Sequence, residues 1–402
     1  MSDIQQDPRF RQLVRARLSR RNVLQGAGGA GLAAFLAACG TGSTGTTAET
    51  QPTVQDKSAT DKIVRWHNWP YYLDFDDKTK KYPTLEKFQQ QSGIKATYTA
   101  DIDDNDTYYG KVQAQLKNGD DIGADVIVLT DWMAARLIRQ GYVQKLDHAN
   151  IPNIKNLTPK LNTVDFDPGR THSLTWQSGY AGIGYRKDKV GRELKTVDDL
   201  WAPDLKGKIE VLSEMRDTMG VLMLSQGVDI SKEFTEDQFN SALDVLQKQI
   251  DSGQIRQVKG NSYVDDLENG NAIAVIGWSG DILAAGFEKD DPNYIFTIPE
   301  TGGTLWSDNM MIPIGSPHKA NAEALMNFYY EPEIAAQVEA YVNYICPVVG
   351  AQQQMAKFDK SLVDSPLIFP TAADLEKVKS FRTLTPDEET KYNESFQKVI
   401  GN

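Results

Sequence analysis

The chain has 402 residues, with 43 Lys and Arg against 55 Asp and Glu, for a formal net charge of −12. An acidic surface of this kind repels nucleic acid and anionic lipid and suits cationic ligands. Two cysteines cannot form a disulfide framework, and His67, His148, His172 and His318 show no metal-ligand spacing, so no metal and no cofactor are expected.

The chain opens on a targeting pattern. Ser19-Arg20-Arg21-Asn22-Val23-Leu24 precedes a Gly- and Ala-rich run, Gln25 to Ala38, that closes on Leu36-Ala37-Ala38-Cys39. Charged region, short apolar region and small residues at a cleavage point define a secretory signal. The run resembles twin-arginine signals, and Leu-Ala-Ala-Cys resembles a lipobox. Residues 1–38 are therefore expected to be a cleaved signal peptide, and Cys39 the lipidated residue. The run is too short and too rich in glycine for a membrane span; a lipid would tether without spanning. Cleavage removes six arginines and two aspartates, which moves the net charge to −16. Cys346 is then left without a partner, and its apolar surroundings predict a buried, inert thiol.

Residues 39–61 hold almost no large apolar side chain, and a stretch that cannot bury a core reads as a flexible linker. The remaining length exceeds what one core serves, so two lobes are expected. Strands are predicted at 63–66, 94–99 and 125–130, with helices at 83–91, 108–116 and 131–140 between or after them. This alternation argues for an α/β lobe with a parallel sheet. A second lobe opens near Gly179, with strands at 181–185, 209–212 and 272–276 and an amphipathic helix at 236–250. A strand at 310–314 and a helix at 320–330 return to the first lobe, and helices at 372–379 and 386–400 close the chain. The expected division is 62–179 with 305–350 for one lobe and 180–304 with 351–402 for the other.

In open α/β sheets ligands bind beyond the carboxyl ends of the strands. Those positions hold Trp69 and Tyr72, Thr130 and Trp132, Glu214 and Asp217, and Trp278 and Asp281, while Trp306 and Asp308 fall just before the strand at 310. Singly, each tryptophan reads as packing and each acid as a helix amino-terminal residue. Pooled, they are aromatic walls with carboxylates. Aromatic faces attract ammonium groups by roughly 0.5–2 kcal/mol, and carboxylates give charge-assisted bonds to nitrogen. A linear, flexible polycation asks for both.

These residues carry a resemblance over nearly all of residues 62–402. Asn68-Trp69-Pro70-Tyr71-Tyr72, 125–147, 199–207, Glu214-Met215-Arg216-Asp217, Ile276-Gly277-Trp278-Ser279-Gly280-Asp281 and 302–308 are similar, in that order, to the spermidine/putrescine-binding proteins of bacterial ABC importers. The resemblance implies a two-lobed periplasmic-binding-protein fold of type II with the ligand cleft between lobes. By position it implies a polyamine held by Trp69, Tyr72, Thr130, Trp132, Glu214, Asp217, Trp278, Asp281, Trp306, Asp308 and Tyr344. It implies a monomeric, lipid-anchored receptor outside the cytoplasmic membrane that hands its ligand to a permease, with no enzymatic activity. Two departures stand out: Tyr71 where relatives often place an acid, and Arg382 near a position that is a polar amide in some spermidine binders. They leave open a receptor for another cationic or opine-like amine. A glycosidase using Glu214 and Asp217 is the rival from another class.

Overall fold

The computed structural model describes residues 54–401 apart from 70, 71, 77, 103, 104, 261 and 290. The expected export signal, Cys39 and Tyr71 lie outside the described residues. Ten strands join one sheet: β1 (Ile63–Asn68), β2 (Lys95–Ala100), β3 (Val126–Thr130), β4 (Ser173–Arg186), β5 (Ile209–Leu212), β6 (Ile255–Lys259), β7 (Ala274–Trp278), β8 (Tyr294–Thr297), β9 (Gly303–Met311) and β10 (Val378–Lys379). The order is β2-β1-β3-β9-β4-β7-β5-β6, with β8 on β4 and β10 on β9. At each end the pairs are parallel, β1 with β2 and β3, and β5 with β6 and β7. Between them β4 and β9 run antiparallel to each other and to β7 and β3, while β10 pairs with β9 in parallel. The helices cover the parallel ends, whose two-sided burial explains continuous apolar runs such as Val126 to Leu129.

Strand β4 is where the lobes part. Its Leu174, Trp176 and Tyr180 belong to one core, with Val64, Trp66, Val128 and Met310. Its Ala181, Ile183 and Tyr185 belong to another, with Val211, Met219, Leu246 and Ile276. A third cluster, with Ile127, Leu129, Met133 and Leu137, covers the other face of the first lobe. The chain passes between lobes along β4, returns along β9, and passes again after β10.

Several elements differ from their predicted limits. Strand β9 begins at Gly303 rather than 310, so Trp306 and Asp308 lie within a strand and not before one. Its polar residues Ser307, Asp308 and Asn309 break the apolar pattern and hide it, because a crossing strand lines the cleft instead of filling one core. The helix expected at 372–379 stops at Glu376, and Val378 and Lys379 pair with β9. Residues 351–378, grouped by sequence with the second lobe, pack in the first through Ala351, Met355, Leu362, Ile368 and Val378. Part of the expected linker is tied down. The Lys57 N–H donates to the Pro317 carbonyl at 2.7 Å, and the Asn321 N–H donates to a buried Ser58 hydroxyl. Cys346 is a buried free thiol.

Candidate functional site

A cavity of about 700 Å³ opens between the lobes, and all eleven residues singled out by sequence line it. Topology explains how distant segments meet there. Thr130, the last residue of β3, pairs across the sheet with Asp308 in the middle of β9. The carboxyl ends of β5 and β7 deliver Glu214, Asp217, Trp278 and Asp281 from the other lobe.

Two carboxylates are built alike. Asp308 accepts the Tyr72 hydroxyl at 2.8 Å and the Thr130 hydroxyl at 2.7 Å, one on each oxygen. Asp217 accepts the Thr304 hydroxyl at 2.6 Å and the Trp278 indole N–H at 2.7 Å. Both are buried, and among the described residues neither makes an ion pair. Desolvation pushes Asp308 up to about 6 and raises Asp217, while the donated bonds oppose it. Asp281 accepts two phenols, from Tyr263 at 3.1 Å and from Tyr344 at 3.3 Å across the cleft. Glu214 caps the helix Met215–Ser225, accepting from the Arg216 N–H at 3.3 Å, so its helix-terminal role is met as well. Burial pushes Glu214 up to about 7, against the pull of Arg216.

The aromatic side of the cleft is continuous. Tyr344 meets Tyr72 edge-on at 5.9 Å and Trp306 at 5.3 Å. Trp69 is anchored by its indole N–H to the Val128 carbonyl at 3.0 Å. Both walls depend on absent side chains. A Cβ at Gly179 would collide with the Trp306 ring, and one at Gly280 would lie 2.5 Å from Tyr344.

The family model of bacterial extracellular solute-binding proteins matches residues 84–366. The chain belongs to that family. Among its relatives, spermidine/putrescine-binding periplasmic protein 1 of Haemophilus influenzae is 25% identical over 91% of this chain and 96% of its own. The putrescine-binding periplasmic protein of Pseudomonas aeruginosa is 28% identical over 85% and 93%. Among solved structures, the spermidine/putrescine ABC transporter substrate-binding protein of Streptococcus pneumoniae shares the fold, with a TM-score of 0.71 at 23% identity over 84% of this chain and 98% of that one. A solute-binding protein is not an enzyme, so Glu214 and Asp217 are not a hydrolytic pair. Family membership also places the protein outside the cytoplasm, as the signal sequence leads one to expect.

The site of this solute-binding protein contains residues that the sequence reading passed over. Asn105 holds Thr130, donating to its hydroxyl at 2.9 Å. Asp131, pushed up to about 7 by burial, fixes the β9 backbone through the Ser307 N–H at 3.0 Å. Arg216 also lines the cleft; it stood in view between Glu214 and Asp217, but its partners come from elements far away in sequence. Arg382 lines the cleft too, yet its charge is answered. Glu388 accepts from it at 2.6 and 3.0 Å, and its guanidinium lies 4.3 Å over Phe234. The opine-like alternative leaned on this cation, and Glu388 removes that support.

Proposed function

We propose that this protein is the polyamine receptor of an ABC importer, capturing putrescine- or spermidine-like amines between its lobes and delivering them to a membrane permease. The observation that carries it is the state of Asp217 and Asp308. Each is held by two neutral donors that favour the ionised form, and among the described residues neither makes an ion pair: Arg216 draws the Asp217 carboxyl down from a distance, but its guanidinium is committed to Glu389. Two buried negative charges without an ion-pair partner are costly, and an ammonium group at each supplies one. Trp306, Trp278 and Tyr344 then pack along the methylenes. The names of the relatives support the same ligand class.

Closure follows from this arrangement. Asp308 extends from the first lobe's sheet and Asp217 from the second lobe's helix, so a ligand meets both only when the lobes are together. It shifts the equilibrium by its differential affinity for the closed state. Cys39 carries a diacylglycerol in this reading, and the monomeric receptor stays at the outer face of the cytoplasmic membrane.

Calorimetry with putrescine, cadaverine, spermidine and spermine, and with an opine-type amine as control, tests the proposal. Saturable binding of at least one polyamine, lost in Asp308→Asn and Trp306→Ala, is expected. Binding of the opine alone, or no change in the variants, would refute it. Cys39→Ala should release the protein from the membrane fraction, and an unaltered membrane pool would rule out the anchor.

A further inference from the structure

One cluster at the edge of the cleft joins the lobes: its Trp132 and Arg216 line the cavity, and Arg136 and Glu389 stand behind them. Trp132, on the first lobe's helix Asp131–Arg139, has two guanidinium groups over its ring: Arg136 at 5.0 Å from the same helix and Arg216 at 4.6 Å from the second lobe. Two cations so close repel each other unless an anion lies between them. Glu389 supplies it from the carboxy-terminal helix Pro386–Ile400, whose Tyr392 and Phe396 belong to the second core. The Glu389 carboxylate takes Arg136 at 2.9 Å, Arg216 at 3.2 Å and Arg139 at 3.5 Å. It is buried and does not line the cavity.

We propose that Glu389 is a positioning residue for ligand capture. It orients Trp132 and Arg216, and through Arg216 the Glu214 carboxylate 4.0 Å away; by drawing the first-lobe arginines onto the second lobe it also clasps the closed form. The inference rests on the polyamine-receptor reading for its ligand, although the clasp itself is a property of the protein alone. Without Glu389, Arg136 keeps Asp106 at 2.9 Å in its own lobe and Arg216 keeps Glu214 at 4.0 Å in the other, but the shared anion that holds the two guanidiniums together across the lobe boundary is gone. The lobes then separate more readily, Trp132 loses its fixed ring plane, and ligand escapes faster. Truncating one member of a buried charge cluster acts mainly on dissociation. Clasp contacts made of ions weaken with salt, and buried ones less so than exposed ones.

The test uses the full chain in mild detergent, with putrescine and spermidine as probes. Glu389→Gln is expected to raise the ligand dissociation rate by roughly tenfold or more at low salt and to flatten its dependence on salt, while Glu389→Asp recovers part of the loss. Arg139→Gln removes the most exposed of the three guanidiniums and should shift both readouts the same way by less, which keeps the test available if Glu389→Gln folds poorly. Small-angle scattering without ligand should show a larger radius of gyration for Glu389→Gln than for wild type. A lower melting temperature with unchanged dissociation rate, salt slope and radius would make Glu389 merely structural and overturn the proposal. Failure of wild type to bind either amine would instead sink the polyamine reading, and the ligand-free scattering would still decide the clasp.

Discussion

Asp308 shows how one side chain can be both buried and ready for a cation. Two hydroxyls occupy one lone pair on each oxygen, which holds the carboxylate in place and leaves further acceptor capacity for an ammonium. Asp308→Asn keeps the shape but removes the charge. A charge-assisted bond contributes about 1.5–3 kcal/mol, so polyamine affinity should fall by roughly thirtyfold for a 2 kcal/mol loss, as read by titration calorimetry. Gly280 is a second control point. It is the second residue of the helix Ser279–Lys289, where alanine would gain at most about 1 kcal/mol of helix propensity, but the added methyl meets Tyr344 at 2.5 Å, and overpacking costs about 1–3 kcal/mol. Steric conflict wins. Gly280→Ala should displace Tyr344 from Asp281 and weaken ligand binding, while unfolding curves show little net change or a modest loss. The acids and aromatic walls were legible in the sequence because strand ends and residue types announce them. Their supports, Asn105, Asp131 and Thr304, were not, since each acts through a partner chosen by tertiary packing.

At the scale of elements, the carboxy-terminal helix does more than close the chain. Its first turn carries a capping box, in which Thr385 and Glu388 exchange bonds, and the same Glu388 neutralises Arg382 at the cleft. The guanidinium holds the Glu388 carboxyl down at about 2. Glutamine at this position still serves a capping box, so Glu388→Gln isolates the charge. The helix should survive with a loss of about 1–2 kcal/mol, whereas Arg382, left among the described residues with the more distant and exposed Glu233 at 3.6 Å, projects positive charge toward the ligand. Polyamine affinity should drop several-fold, and the double variant Glu388→Gln with Arg382→Gln should regain it. Equal affinity in single and double variants would show that Arg382 does not act on the ligand. The helix 386–400 was legible in the sequence, as were β1 from its alternation and β5 and β7 from their largely apolar residues. Strand β9 was not, because Ser307, Asp308 and Asn309 interrupt its apolar residues where it crosses at the cleft. Residues 351–378 escaped correct grouping for a related reason: their helices are short, and only long-range packing reveals which core they join.

For the whole molecule, acid has opposite effects on stability and on ligand capture. Burial raises the carboxyls of Asp74, Asp131 and Glu214 to about 7 and of Asp308 to about 6. Each lies above its unfolded value, so between roughly pH 4 and 7 the native state binds more protons than the unfolded chain. Unfolding free energy from these groups therefore rises as pH falls through that window. His67, whose value is lowered by burial, opposes the trend with one group against four. Asp167 and Glu388 are held down by their hydrogen bonds, and their contribution is lost only below about pH 4.5, near the unfolded carboxyl values. Ligand binding runs the other way, since an ammonium group needs Asp308, Asp217 and Glu214 ionised. On going from pH 7.5 to pH 5.5, the melting temperature without ligand should rise or hold, while the increment produced by a saturating polyamine shrinks. Asp308→Asn should flatten the pH dependence of the increment because one of its titrating groups is gone. An increment that grows on acidification would mean that neutral, proton-bearing carboxyls hold the ligand, and the cleft would then be built for an anion rather than an amine.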